Sequence, residues 1–298
     1  MKTLFVYNPN AGMMQIKNYL YDILNVFAKA NYELTVAPTR ASGEALKYVK
    51  KNCQNFDLIV CSGGDGTLNE VVNGLLLTGF DELPALGYIP AGSTNDYATS
   101  LNLPKNMKKA AQLITKGHPI AYDMGKFNSK YFVYVAAFGA FTSVTYSTSQ
   151  DIKNMIGHLA YIMEGIKSLT NIKSYRLKIN SEDITIEGSF IFGMISNTYV
   201  VGGVYKLNKK SVKLDDGKLE VMLVREPKNP IELAEINTYL VNPRMRTDMV
   251  ISFKTNKITI TTDDDMPWTL DGEYGGNPKK VTISDVNKAV KIINKIED

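Results

Sequence analysis

Hydrophobicity along the first part of the chain keeps changing period, and that constrains the fold more than any other feature. Leu4-Phe5-Val6-Tyr7 is a short continuous apolar run, the mark of a strand buried on both faces. From Gln15 to Ala30 the apolar residues Ile16, Tyr19, Leu20, Ile23, Leu24 and Phe27 recur at helical spacing. A strand over Tyr32–Ala37 follows, then a helix from Ser42 to Asn52, with Ser42 as N-cap and Ala45, Leu46 and Val49 facing inward. The pattern continues with strand Asp57–Cys61, helix Thr67–Leu77, strand Ala85–Ile89 and helix Met107–Lys116. Such alternation builds a parallel sheet covered by helices, a doubly wound α/β domain, expected here over residues 1–122.

Beyond Tyr122 the texture changes. Strand-like runs come in succession at Lys130–Ala137, Tyr175–Ile179, Asp183–Glu187, Phe190–Ser196, Lys218–Val224, Val250–Lys254, Lys257–Thr262 and Lys280–Ile283. Short polar links such as Asn180-Ser181-Glu182 and Asp215-Asp216-Gly217 separate several of them. This reads as an antiparallel β-sandwich over residues 123–283, interrupted by helices at Ile152–Leu169 and Pro230–Val241. A last helix over residues 284–298 is expected to pack back on the first domain. A chain of 298 residues is long enough for two cores of ordinary size.

Composition removes several function classes. The net charge of +4, from 34 basic and 30 acidic residues, is too weak and too dispersed for a nucleic-acid binder. It leaves room for mild attraction to an anionic membrane surface. Two cysteines, Cys53 and Cys61, fit a reducing compartment rather than a disulfide scaffold or zinc site. His118 and His158 have no ligand-like neighbours. The longest near-apolar stretch, Tyr131–Phe141, cannot span a bilayer. The opening MKTLFVYNPN is too short for a signal peptide, so the chain is expected in the cytoplasm.

In a doubly wound sheet, ligands bind beyond the carboxyl ends of the strands. Three loops fall there: Asn8-Pro9-Asn10-Ala11-Gly12, Ser62-Gly63-Gly64-Asp65-Gly66-Thr67-Leu68-Asn69-Glu70, and Pro90-Ala91-Gly92-Ser93-Thr94-Asn95-Asp96. Small residues leading into helix N-termini supply converging backbone N–H groups, which suit an anion. None is a Walker loop, because the Gly-Lys-[Ser/Thr] ending is absent, and none is a dinucleotide fingerprint. Asp65 would repel a bare phosphate but makes sense if a divalent cation bridges it to a polyphosphate. The bland alternative is three helix-capping turns.

These motifs resemble those of the diacylglycerol kinase catalytic-domain family, in its bacterial, sphingosine-kinase-like branch. The carrying residues are Asn8-Pro9-x-x-Gly12, Gly63-Gly64-Asp65-Gly66-Thr67-x-Asn69-Glu70-Val71 and Gly92-Ser93-x-Asn95-Asp96. Gly-Gly-Asp-Gly-Thr is shared with NAD kinases, whereas Asn69-Glu70-Val71 points to lipid kinases. The resemblance implies a phosphofructokinase-like α/β domain, a β-sandwich, and ATP in the interdomain cleft. ATP contacts would fall on Asn8, Pro9, Asn10, Ala11, Gly12, Thr39, Gly63, Gly64, Asp65, Gly66, Thr67, Leu68, Asn69, Glu70, Gly92, Ser93, Asn95 and Asp96. Where many members follow Asn-Asp-Phe-Ala with arginine, this chain has Thr99.

In the second domain, Asp271-Gly272-Glu273 reads on its residues alone as a hairpin turn. The resemblance makes Asp271 the general base for a lipid hydroxyl, with Glu273 orienting metal or substrate and Asp65 serving the metal. Leu214-Asp215-Asp216-Gly217-Lys218 is likewise either a turn or, by resemblance, a structural magnesium site held by Asp216 with the carbonyls of Lys213 and Lys218. Phe138, Phe141, Met155, Ile156, Tyr161, Ile162 and Met163 could admit a lipid or simply form core. The expected function is an ATP- and Mg²⁺-dependent lipid kinase with diacylglycerol as acceptor. It would touch the membrane peripherally, bind no nucleic acid, and be compatible with a homodimer. An NAD-kinase-like enzyme and a catalytically silent nucleotide- or lipid-binding regulator are the alternatives.

Overall fold

The computed structural model describes residues 1–139, 173–201, 205–206 and 212–295. It divides into two compact units, Met1–Met124 with Asn287–Asp298, and Gly125–Val286.

The first unit opens with β1 (Lys2–Tyr7), α1 (Ile16–Lys29), β2 (Glu33–Pro38), α2 (Glu44–Asn52), β3 (Leu58–Gly63), α3 (Asp65–Leu76) and β4 (Ala85–Pro90). Then come a short α4 (Asp96–Ser100), α5 (Met107–Lys116) and the start of β5 (His118–Phe127). Strands β1 to β4 pair in parallel in the order β2-β1-β3-β4. Their apolar residues Leu4, Phe5, Val6, Ile59, Val60 and Ile89 are fully buried, which is why they read as continuous apolar runs. Helices α1 and α5 pack together, as do α2 and α3. The chain moves outward from β1 to β2 and then recrosses to β3, so the switch point lies between β1 and β3.

The second unit contains β6 (Lys130–Phe132), β7 (Val135–Gly139), β8 (Tyr175–Ser181), β9 (Thr185–Ser196), β10 (Val200–Val201), β11 (Tyr205–Lys206) and β12 (Leu219–Arg225). It continues with α6 (Pro230–Val241), β13 (Val250–Thr255), β14 (Lys257–Thr261), β15 (Trp268–Leu270), β16 (Glu273–Gly276) and the first part of β17 (Lys280–Asn294). Pairing among them is antiparallel, and the long β9 organises it: β8 and then β7 lie along one edge, β12 along the other. The inner faces enclose one core around Trp268, whose ring stands edge-on to Phe127 and Phe138 at 5.1 and 4.9 Å. Phe138 is therefore a core residue. The expected helix at 152–169 and Phe141, Met155, Ile156, Tyr161, Ile162 and Met163 lie outside the described residues. Helix α6 begins where Pro230 can sit at its first position and Asn229 caps the amides of Ile231 and Glu232.

One element differs in kind. The closing segment expected as a helix over residues 284–298 is strand through Asn294, the end of β17. Val286, Ala289, Val290 and Ile293 do fall at helical spacing, but Ile292 pairs in parallel with Leu86 of β4. The exposed parallel edge of β4 provides hydrogen bonds an isolated helix could not match, and the β-branched residues favour it. Lys288, at φ 51°, interrupts the strand where its N–H and the side chain of Asn287 both donate to Asp123.

Candidate active site

The Asn8–Gly12, Ser62–Asp65 and Pro90–Asp96 stretches emerge at the carboxyl ends of β1, β3 and β4. They are fastened to one another. The Asn8 N–H donates to Ser62 O at 2.9 Å, and the Ala91 N–H donates to Gly63 O at 2.8 Å. Gly12 has φ 51°, and a Cβ there would overlap the carbonyl oxygen of Ala91. A Cβ on Gly92 would lie 2.5 Å from the Gly64 Cα. Only hydrogen fits at either position, so close approach of backbones is what these glycines provide.

Side chains brace the same loops. Asn95, itself at φ 53°, accepts from the Gly92 N–H at 2.9 Å and donates to Gly92 O at 2.7 Å. Buried Tyr88 donates to Gly63 O at 3.3 Å and contacts the Asn95 amide oxygen at 3.4 Å; burial holds its hydroxyl well above the ordinary tyrosine range. Sequence reasoning missed Tyr88, and its one signal was a hydroxyl within an aliphatic strand. Asn8 folds its carboxamide oxygen onto the Asn10 N–H and reaches Thr67. Thr39 sits beside β1, with its N–H and hydroxyl on Tyr7 O. Asp65 opens α3, where a carboxylate suits the helix dipole, and accepts the Asp96 N–H at 3.3 Å. Asp96 is buried, while Ser93 is exposed on the third loop. Asn69 faces Asn73, Pro9 lies in the turn after β1, and Gly66 and Leu68 belong to the first turn of α3, with Leu68 buried.

Glu70 has a defined structural job. Its carboxylate accepts from the Gly43 N–H at 2.6 Å, the Ala45 N–H at 3.1 Å and the Ser42 hydroxyl at 3.3 Å. Ser42 was expected to cap α2, but Gly43 occupies that position at φ 79° with no cap of its own. The cap comes from α3 instead, which holds the two helices together. Replacing Glu70 with alanine should cost about 1–2 kcal/mol and raise amide hydrogen exchange at Gly43 and Ala45, read by NMR.

In the second unit, Asp271 and Gly272 form the two-residue loop between β15 and β16, both at positive φ, 49° and 89°. That is a type I′ hairpin turn, for which Asp-Gly is a preferred pair. Asp271 is nonetheless buried, and its carboxylate accepts three consecutive backbone N–H groups: Val133 at 2.6 Å, Tyr134 at 3.0 Å and Val135 at 3.0 Å. Glu273 is exposed. The same 133–135 segment abuts the buried polar run Ser196-Asn197-Thr198, whose Asn197 N–H donates to Tyr134 O at 3.0 Å.

At the turn expected to hold magnesium, Asp216 has an amide and an ammonium as partners. Asp216 accepts the Lys218 N–H at 3.2 Å, and its other oxygen lies 2.9 Å from the Lys254 ammonium, which also pairs with Glu220 at 3.0 Å. Among the described residues no group of three or more His, Cys, Asp or Glu could hold a metal. The Asp216 carboxylate is engaged by the Lys218 N–H and the Lys254 ammonium, while the expected magnesium site used this one carboxylate with the carbonyls of Lys213 and Lys218. Glu220 and Lys254 are direct cross-strand neighbours, a pairing no local pattern reveals. Burial works against the Lys254 charge, but Asp216 and Glu220 outweigh it and hold its pKa above the ordinary value. Burial pushes the Glu220 carboxyl up to about 7 against the pull of Lys254. Because the folded pKa exceeds the ordinary 4.5, this group's contribution is fully present below pH 4.5 and lost as pH rises through 7. The loss should be on the order of 3 kcal/mol, and Glu220→Gln should flatten that part of a denaturant-derived stability profile.

Comparison with known proteins agrees with this architecture. The model of the diacylglycerol kinase catalytic domain matches residues 2–127, and that of the YegS C-terminal NAD kinase beta sandwich-like domain matches residues 135–294. The diacylglycerol kinase of Bacillus subtilis (strain 168) is 34% identical over 274 residues, covering 91% of this chain and 89% of that protein. The diacylglycerol kinase of Staphylococcus aureus (strain MRSA252) is 35% identical over 273 residues, covering 91% and 85%. A solved diacylglycerol kinase structure from Bacillus anthracis str. Sterne superposes with a TM-score of 0.76 at 25% identity, covering 99% of this chain and 97% of that one. Together with the interlocked loops, these likenesses define a lipid kinase. The chain belongs to the diacylglycerol kinase catalytic-domain family, which implies ATP as phosphoryl donor. Among the described residues no helix is long and apolar enough to cross a membrane.

Proposed function

We propose that this enzyme transfers the γ-phosphoryl group of ATP to the hydroxyl of diacylglycerol at a membrane surface, forming phosphatidic acid. The observation that carries the reading is the fastening of three amide-rich loops around one switch point, since polyphosphate needs converging N–H donors more than covalent help. Asn8–Gly12, Gly63–Glu70 and Gly92–Asp96 hold the nucleotide, with Thr39 at the end of β2. A divalent cation bound through Asp65 would neutralise charge on the transferring oxygens.

Asp271 takes the proton of the acceptor hydroxyl. The N–H groups of Val133, Tyr134 and Val135 hold its carboxylate, which fixes its direction. Relatives of 34–35% identity named for diacylglycerol support the choice of acceptor.

The test is transfer of labelled γ-phosphate from ATP and Mg²⁺ to micellar diacylglycerol, monoacylglycerol, sphingosine, ceramide and a polyprenol, with NAD in parallel. Label should enter diacylglycerol. Label in NAD alone would replace this reading with a soluble nucleotide kinase.

A further inference from the structure

The third loop has a second use. Besides facing Gly64, it forms one wall of a cavity of about 460 Å³ within the first unit, whose lining includes neither the Asn8–Gly12 loop nor Asp65–Glu70. Leu103 and Met107, both buried, give the cavity an apolar floor. Its rim is polar: Ser93, Thr99, Asn102 and Lys105. Thr99 keeps its hydroxyl on Asn95 O at 3.1 Å, which ties this rim to the loop that abuts Gly64. No acidic side chain lines the cavity, and Lys105, exposed, makes no ion pair among the described residues.

An apolar floor beneath a hydroxyl- and amide-bearing rim suits the junction of an amphiphile, where a polar head meets its first methylenes. The volume fits such a fragment and leaves the rest of the tails outside. The lone ammonium adds selectivity. It offers three donors and no acceptor, so it can serve ester carbonyls, whereas a cationic head would meet a like charge with no carboxylate to receive it. We infer that this cavity seats the head of an uncharged acylglycerol acceptor and that Lys105 discriminates against amino-alcohol lipids. The inference rests on the lipid-kinase reading and names its acceptor class.

Lys105→Glu and Lys105→Gln are the variants, assayed in neutral detergent micelles with diacylglycerol or sphingosine as acceptor. Lys105 is an exposed loop residue, so folding should be intact by thermal melting. For Lys105→Glu, KM for diacylglycerol should rise roughly tenfold, KM for ATP should stay within about twofold, and labelling of sphingosine should appear or increase. Lys105→Gln should fall between. If both variants leave acceptor KM and acceptor preference unchanged, the cavity is not the acceptor seat. If KM for ATP rises instead, the cavity belongs to the nucleotide. A wild-type enzyme that labels no lipid fails differently, because it overturns the kinase reading beneath the inference.

Discussion

Gly12→Ala is expected to weaken ATP binding at least tenfold while leaving a folded protein. A methyl group at Gly12 overlaps the Ala91 carbonyl oxygen, and the residue sits at φ 51°, which an L side chain adopts at a cost near 1 kcal/mol. Neither problem can be relieved alone. Rotating Gly12 to negative φ moves the Asn8–Gly12 loop away from the third loop, and moving Ala91 breaks its 2.8 Å bond to Gly63 O. Either way the amides proposed to converge on phosphate separate. Anion binding of this kind needs donors aligned to within fractions of an ångström, so at least a tenfold loss in affinity follows. Gly79→Ala is the matched control, since Gly79 has φ 73° but nothing within 4 Å of its missing Cβ. It should share the backbone strain, lowering Tm a few degrees, and keep full ATP affinity. Calorimetric titration of both variants with a non-hydrolysable ATP analogue, beside thermal melts, separates the effects. Equal ATP affinity in the two would mean that loop contact is incidental to the nucleotide.

What the sequence revealed and what it hid divide along a physical line. The alternating β and α elements of the first unit were legible because each strand buries both faces and each helix one, and periodicity records burial directly. Helices α5 and α6 stand where spacing put them. Helix α4 was missed because five residues are too few to display a period. The closing strand was misread because Val286, Ala289, Val290 and Ile293 satisfy a helical spacing as well, and only the free edge of β4 decides between them. Contacts across long sequence separations left no local trace. Glu70 capping α2, Lys254 between Asp216 and Glu220, and Asp271 gathering the 133–135 amides all join residues far apart in the chain. Motif resemblance singled out Glu70, Asp216 and Asp271, but it could not foresee the contacts each makes: the α2 amides, the Lys254 ammonium and the 133–135 amides.

Asp271→Asn should cost both rate and stability, and the two losses can be told apart. Asn-Gly is at least as good as Asp-Gly in a type I′ turn, so the hairpin backbone should persist. The side chain is the problem. Asparagine offers one oxygen, which can still receive the Tyr134 and Val135 N–H groups, but its amide nitrogen then faces the Val133 N–H, a donor set against a donor. An unsatisfied buried pair costs about 1–3 kcal/mol, so Tm should fall by roughly 5 °C for a domain of this size. Turnover should fall by a factor of roughly 10²–10⁴, because the amide cannot accept the acceptor proton. A shift of 5 °C leaves the protein folded at an assay temperature well below the transition, so rate measured there reports chemistry alone. ATP affinity should be unchanged, since the three loops proposed to hold the phosphates lie in the other unit. The competing view is that Asp271 only anchors a turn. On that view the variant, assayed cold, would turn over at the wild-type rate and fail only as it melts. A rate deficit that persists unchanged down to low temperature, with ATP bound normally, assigns the carboxylate to the reaction, and the three amides then explain how a turn residue is held still enough to serve it.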